Sequence, residues 1–411
     1  MNVLLFIVLF IFVLLLYKRR TILPFSFLFT VFWFINIVFA EIFFKDYKFS
    51  ISLYIFLIFA CLSVFLGEFL GMGRNNKLRP IEFSENRLFL FTYISVAIGF
   101  VFPIESLILN GVSIDTLLSF ENLLAANNKM AVARYSDELE TSLLSQITLI
   151  FLYLAPLLAG FITVRFKSKK LIFITILPSF LVLITQNTKF VFIAALFLII
   201  VGRLTYFLIF FNRFPSIKLN QILKLFFGGF IFYILMLFTF VARVGKINDE
   251  VFNTANSKIA SYVAHLPAFD NWLNDYLFND DHYIEWGLKT FYGVTNFIGL
   301  VERKTGVFEN YYVFTSNNIE FKTNVYTVFR FHIEDFGIFG TFLFLFFLSF
   351  IYRKIKLLSN KFPLLLIAIT ANLLFYIFNS FLTSLWAYMS FILVFVFFYF
   401  FLLLARKDIY V

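Results

Sequence analysis

Charge is what this sequence has least of. Asp, Glu, Lys and Arg make up 14% of its 411 residues, where a water-soluble domain carries roughly 25%. That is too little to cover a globule of this size, so a soluble fold is excluded. Cysteine is nearly absent as well. Cys61 stands alone inside an apolar stretch, which rules out an internal disulfide and leaves packing as its expected role. The chain also lacks the signatures of soluble catalysis: no Gly-Lys-Ser/Thr phosphate loop, no Gly-x-Gly-x-x-Gly and no His-Glu-x-x-His. No metal-ligand spacing is present, and Asn279-Asp280-Asp281-His282 reads as an acidic solvated turn. Neither a metal nor a cofactor is expected.

Apolar residues are what is abundant. They make up 61% of the chain and the mean hydropathy is +0.90. Lipid as the solvent resolves the shortage of charge, because lipid-facing side chains should be apolar. The 67 phenylalanines against 16 glycines read as a compositional bias in how apolar positions are filled. The formal charge of +10 sits in short basic clusters between apolar runs. Membrane topology explains such clusters, so membrane lipid and not nucleic acid is the expected partner.

A helix needs about 20 apolar residues to cross the hydrocarbon. Eleven candidate spans are visible, at about 2–17, 21–40, 49–70, 88–109, 143–164, 171–185, 190–210, 222–244, 336–352, 362–382 and 385–405. Arg203 falls inside the seventh and predicts that this helix ends there, with 204–211 at the interface. The first span has no basic residue before it and no small-residue cleavage site after it, but is followed directly by Lys18-Arg19-Arg20. That order suits an uncleaved helix with its N-terminus outside. With this orientation 20 of the 34 basic residues fall on inner segments, while the short outer turns hold Lys45, Lys48 and Lys189. The positive-inside rule therefore supports eleven spans, N-terminus out and C-terminus in.

The expected organisation is spans one to eight over 1–244, a large outer loop over 245–335 and spans nine to eleven over 336–411. A smaller outer loop interrupts the first part at about 110–142. The large loop contains all three histidines, His265, His282 and His332, together with 12 acidic and 7 basic residues. It is expected to fold as short helices and to concentrate the polar chemistry.

Intramembrane ionisable residues are scarce, which argues against an ion-coupled pump. Glu68 and Glu105 lie near span ends, where snorkelling is available. Asn372 and Asn379, seven residues apart on one helix face, suit helix–helix hydrogen bonding, with the lining of a cavity as the alternative. Arg134, Lys189, Arg243 and Arg330 each sit near the outer end of a span. Anionic headgroups would satisfy each singly. Together they suit a diphosphate held at the membrane surface, which guanidinium groups bind bidentately.

The run Thr323-Asn324-Val325-Tyr326-Thr327-Val328-Phe329-Arg330-Phe331-His332-Ile333-Glu334-Asp335-Phe336-Gly337 resembles the Thr-Asn-Val-Tyr-Thr, Arg and Asp-Phe-Gly pattern of oligosaccharide repeat-unit polymerases, the O-antigen polymerase (Wzy-type) family. Upstream, Tyr262 with Pro267-Ala268-Phe269-Asp270 is similar to the family's aromatic and Ala-Phe-Asp segment. Gly287 with Thr290-Phe291 is similar to its Gly-x-x-Thr-Phe element. The order and spacing match over roughly 260–352, and the rest is similar by hydropathy only. The family often has Pro where Phe331 stands, an aromatic where Ile333 stands and Arg where Lys189 stands.

The resemblance implies an all-α, GT-C-like polytopic enzyme of the bacterial inner membrane with its active face in the periplasm. Such enzymes transfer a growing glycan from undecaprenyl diphosphate to the non-reducing end of an incoming lipid-linked repeat unit, without a metal or cofactor. A flippase and a chain-length regulator are the implied partners. Under this reading Arg330 recognises diphosphate, with Arg243, Arg134 and Lys189 as companions. Tyr262, Asp270, Thr290, Asn324 and Tyr326 are the glycan or loop motif residues. His332, Glu334 and Asp335 compete as the base that takes the acceptor hydroxyl's proton. Asp335 is also placed to cap the helix that follows it. The alternative is an O-antigen ligase or another lipid-linked oligosaccharide transferase, with a flippase or other transporter behind it.

Overall fold

The computed structural model describes residues 2–73, 81–113, 119–135, 140–186, 188–216, 264–278, 283–302, 312–316 and 319–407, with isolated positions at 228, 229, 233, 234 and 237. The described chain is mostly helical. Among the described residues, seven helices are long and apolar enough to cross a membrane, and three shorter apolar helices accompany them. The chain divides into two compact units, residues 1–81 with 260–392 and residues 82–259 with 393–411.

The first unit opens with helices α1 (Asn2–Lys18), α2 (Pro24–Phe43) and α3 (Ile51–Leu70). Pro24 sits at the first turn of α2, where its missing N–H costs nothing. Ser50 caps α3 by accepting the Leu53 N–H. The large-loop region supplies α9 (His265–Phe278), α10 (Tyr292–Phe297) and an antiparallel hairpin, β1 (Tyr312–Ser316) with β2 (Ile319–Thr323), in register Phe314 opposite Phe321. The short helices are as expected, but the hairpin is not. Tyr-Val-Phe-Thr-Ser and Ile-Glu-Phe-Lys-Thr alternate in the strand manner and bury Phe314 and Phe321 against Phe44. Helices α11 (Val328–Leu357) and α12 (Pro363–Asn379) complete the unit, with a single turn at Leu385–Ala387 and the start of α13 (Met389–Ala405).

The second unit contains α4 (Glu85–Leu109), α5 (Phe120–Tyr135), α6 (Leu143–Phe166), α7 (Lys169–Gln186) and α8 (Lys189–Phe210), with the rest of α13. Phe161 of α6 lies within a cage of Phe83, Tyr206, Phe210 and Phe398. The first long segment between spans, 110–142, thus carries a helix of its own.

Ten of the eleven expected spans coincide with described helices, and the eighth (222–244) lies outside the described residues apart from the isolated positions. Three local expectations are overturned. Helix α8 does not end at Arg203 but runs unbroken to Phe210. Its sequence there, Leu204-Thr205-Tyr206-Phe207, contains no breaker, and its apolar side chains continue the buried face. Glu68 does not snorkel. It is fully buried and accepts the Ser26 N–H at 2.8 Å and the Ser26 Oγ–H at 2.6 Å, so it supplies the N-terminal turn of α2 with its missing acceptor. Glu105 is partly buried and accepts the Ser142 and Ser145 hydroxyls at the start of α6. Asn379 bonds locally, from Nδ2 to the Thr383 carbonyl at 3.2 Å, and not across to another helix.

The core of the first unit is aromatic, and Phe329 is its hub. Its ring lies 4.6 Å from Trp33, 5.0 Å from Phe56 and 5.8 Å from Phe269, measured between centroids. Phe329 thereby fixes the start of α11 onto α2, α3 and α9, with aromatic pairs contributing roughly 0.5–1.5 kcal/mol each beyond burial.

Candidate functional site

Gly337 divides α11. Its backbone (φ 68°, ψ 175°) is not helical and belongs to a region that only glycine occupies without strain. The short segment 328–336 that precedes it carries most of the motif residues. Helical spacing puts Arg330 and Glu334 on one side, four residues apart, and His332, Asp335 and Phe336 on another.

The break leaves the last carbonyls of this segment to find other donors. The stretch 285–291 provides them: the Glu285 N–H donates to the Glu334 carbonyl and the Trp286 N–H to the Asp335 carbonyl, both at 3.1 Å. Trp286 (φ 53°) and Gly287 (φ 94°) then turn the chain through left-handed conformations. The turn aims the next N–H groups back at the segment. The Lys289 N–H reaches Asp335 Oδ1 at 3.1 Å, and the Thr290 N–H reaches Oδ2. Sequence separations of 45 residues and more are bridged by four backbone donors, and the Gly-x-x-Thr-Phe element and the Arg/Asp-Phe-Gly run become one structure.

Asp335 is fully buried. The expectation that it caps the helix following it needs correction, since helical turns begin seven residues earlier, at Val328. Its carboxylate instead caps the turn at Lys289 and Thr290. His332 is also fully buried. Its Nδ1 lies 3.0 Å from Thr290 Oγ1 and its Nε2 2.9 Å from the Tyr376 hydroxyl. Both ring nitrogens are thus engaged by neutral hydroxyls, and the ring packs 4.7 Å from Phe344. The Ser384 hydroxyl completes the set by donating to the Thr290 carbonyl at 2.7 Å.

The opposite side is ionic. Arg330 Nε donates to Glu334 Oε1 at 2.8 Å, and Lys289 Nζ donates to Glu334 Oε2 at 2.5 Å and to Glu285 Oε1 at 2.7 Å. Burial alone would lower the Lys289 pKa, but Glu334 and Glu285 more than offset it, so the ammonium is held above its ordinary value. The Arg330 guanidinium stands 4.1 Å over the Tyr326 ring and 5.3 Å over Trp272, an arrangement in which ring faces favour the cation. Burial raises the Tyr326 pKa, partly opposed by Arg330. Chemically, this is a pair of cations set to hold an anion with two oxygens.

Of the other expected site residues, Asp270 is buried on α9 and accepts from the Tyr47 hydroxyl at 3.1 Å, the Ser50 N–H at 2.9 Å and the Ser50 hydroxyl. Burial raises its pKa against the pull of those bonds. It ties α9 to the α2–α3 turn. Asn324 is exposed in the stretch before α11. Lys189 is buried at the first position of α8, in the second unit. Tyr262, Arg243 and the side chain of Arg134 lie outside the described residues.

Sequence reasoning missed Lys289, Glu285, Trp272 and Tyr376. Lys289 had a signal, since it sits directly before Thr290 inside the quoted motif, but spacing alone did not show that it meets Glu334. Trp272 and Tyr376 had none. No group of three or more metal-ligating side chains occurs among the described residues. No family model matches the chain, and neither a curated protein nor a solved structure matches it.

Proposed function

We propose that this membrane protein is a lipid-linked oligosaccharide polymerase of the O-antigen type. It transfers a growing glycan from undecaprenyl diphosphate to the non-reducing end of an incoming undecaprenyl-diphosphate-linked repeat unit. The observation that carries the reading is the convergence of two motif elements, far apart in sequence, on the paired cations Arg330 and Lys289. A GT-C-like fold, eleven spans and an N-terminus outside belong to the same proposal. So do the bacterial inner membrane, a periplasmic site and a flippase and chain-length regulator as partners.

Two diphosphate-bearing lipids need cations at the membrane surface, and the leaving diphosphate gains charge as the sugar–phosphate bond breaks. Arg330 and Lys289 suit that task. His332 and Asp335 act by holding the segment that presents Arg330, since their polar atoms are taken up inside the protein. Glu334 is the member of the three expected acid–base residues that reaches the surface.

The test is reconstitution of the purified protein in liposomes with undecaprenyl-diphosphate-linked repeat units. Polymerase activity yields a ladder of products differing by one repeat unit. Transfer to a lipid A core without a ladder would assign the chain to the ligases, and no transfer of either kind would defeat the proposal.

A further inference from the structure

We infer that Glu334 occupies the diphosphate position when the site is empty, and that Lys289 is a second cation that takes the diphosphate when Glu334 leaves. This inference rests on the diphosphate reading above. The geometry behind it is specific. The two oxygens of one carboxylate are divided between two cations from different parts of the chain, Arg330 Nε at 2.8 Å and Lys289 Nζ at 2.5 Å. A carboxylate held this way presents the same two-oxygen edge that a phosphate would. Arg330 is anchored independently of Glu334 by the Tyr326 and Trp272 rings. Lys289 is anchored by its own N–H on Asp335 and keeps Glu285 at 2.7 Å. Neither cation therefore depends on Glu334 for its position, and neither is stranded when Glu334 moves aside.

Glu334 can also move. Its side chain is partly exposed, whereas the rest of its helical segment is held by Phe329, His332 and Asp335. Rotation about its side-chain bonds frees both cations without disturbing the backbone bond from Glu285 to the Glu334 carbonyl. The exchange is of one anion for another, so the cluster is never left with two unopposed positive charges. A neutral ligand gains nothing from this exchange, which makes the carboxylate a filter for anionic groups.

The inference predicts opposite signs for two substitutions. Binding of undecaprenyl diphosphate is measured on the full chain in phosphatidylcholine nanodiscs, followed by tryptophan fluorescence with Trp272, 5.3 Å from the Arg330 guanidinium, as a reporter. Lys289→Ala should weaken binding about tenfold, the effect of losing one charge-assisted contact, and Lys289→Arg should retain it. Glu334→Gln removes the competing anion and should tighten binding. Glu334→Gln that binds no better than the unaltered chain, while Arg330→Ala still abolishes binding, would overturn the exchange and leave the diphosphate reading standing. If the unaltered chain does not bind undecaprenyl diphosphate, or Arg330→Ala binds as well as it does, the diphosphate reading falls with it. Displacement of the probe by phosphatidylglycerol would assign the cations to bulk headgroups and overturn the inference. Should Glu334→Gln not purify as a monodisperse protein, Lys289→Gln decides: binding equal to the unaltered chain overturns the role of Lys289.

Discussion

The Asp335 carboxylate receives the backbone N–H of Lys289 at 3.1 Å, across 46 residues of chain. This bond and its neighbour from Thr290 join the turn at Gly287 to the segment that carries Arg330. These bonds fix the backbone that carries the cations, while the Tyr326 and Trp272 rings and Glu285 hold the charged ends of Arg330 and Lys289. Precise placement of this kind is what a charge-binding site requires.

Removing one of those acceptors should loosen the joint. Asp335→Asn keeps the shape but turns an amide NH2 toward a backbone donor, leaving a buried N–H unmatched at a cost of about 1–3 kcal/mol. The expected result is a lower temperature of unfolding in detergent and less monodisperse protein. Unchanged thermal stability with lost activity would show that the carboxylate does chemistry and not support.

Gly337 offers a cleaner test of backbone conformation. A methyl group there would meet nothing within 4 Å, so steric clash is not the issue. The cost of Gly337→Ala is conformational, about 1–3 kcal/mol for a residue held at this φ and ψ. Thermal stability should fall. If it rises, the break at Gly337 is not required by the folded state.

Arg330 is the residue on which activity should depend most. Arg330→Ala should insert in the membrane and yield glycan of a single repeat unit, while Arg330→Lys, which keeps charge but loses the planar fork, should be partly active. Long-chain glycan from Arg330→Ala would refute its role in substrate binding. A loss of folded protein in the membrane would instead show that its contacts to Glu334 and Tyr326 are structural.

Topology is open to direct labelling. A cysteine at Asn128 or Asn279 should react with an impermeant reagent added to intact spheroplasts, and one at Asn75 or Ser168 should not. Equal labelling of Asn75 and Asn279 would reverse the orientation drawn from the basic clusters.

Glycan extension should persist in excess chelator, because the sequence has no metal-ligand spacing outside the acidic turn around Asp280 and the polymerase resemblance implies a metal-independent transfer. Activity lost on chelation and restored by Mg²⁺ or Mn²⁺ would place a metal in the reaction.

Hydropathy alone determined that this chain is helical and built for a membrane. Runs of about 20 apolar residues have one stable form in lipid, because every backbone polar group must be bonded within the helix. Arg330 was legible from its place near the outer end of a span, and Glu334 and Asp335 from the resemblance of the run 323–337 to the polymerase pattern. What those residues face was not legible. Glu334 has Arg330 as a neighbour at helical spacing, which the sequence contains, and Lys289 as a neighbour by tertiary contact, which it does not. Asp335 before an apolar helix read as that helix's cap. The break at Gly337 gave it a different turn to cap, because a single left-handed residue redirects every donor and acceptor around it. Side-chain spacing is periodic and local, whereas a binding site is made where distant backbone segments exchange hydrogen bonds, and only the folded chain fixes which segments those are.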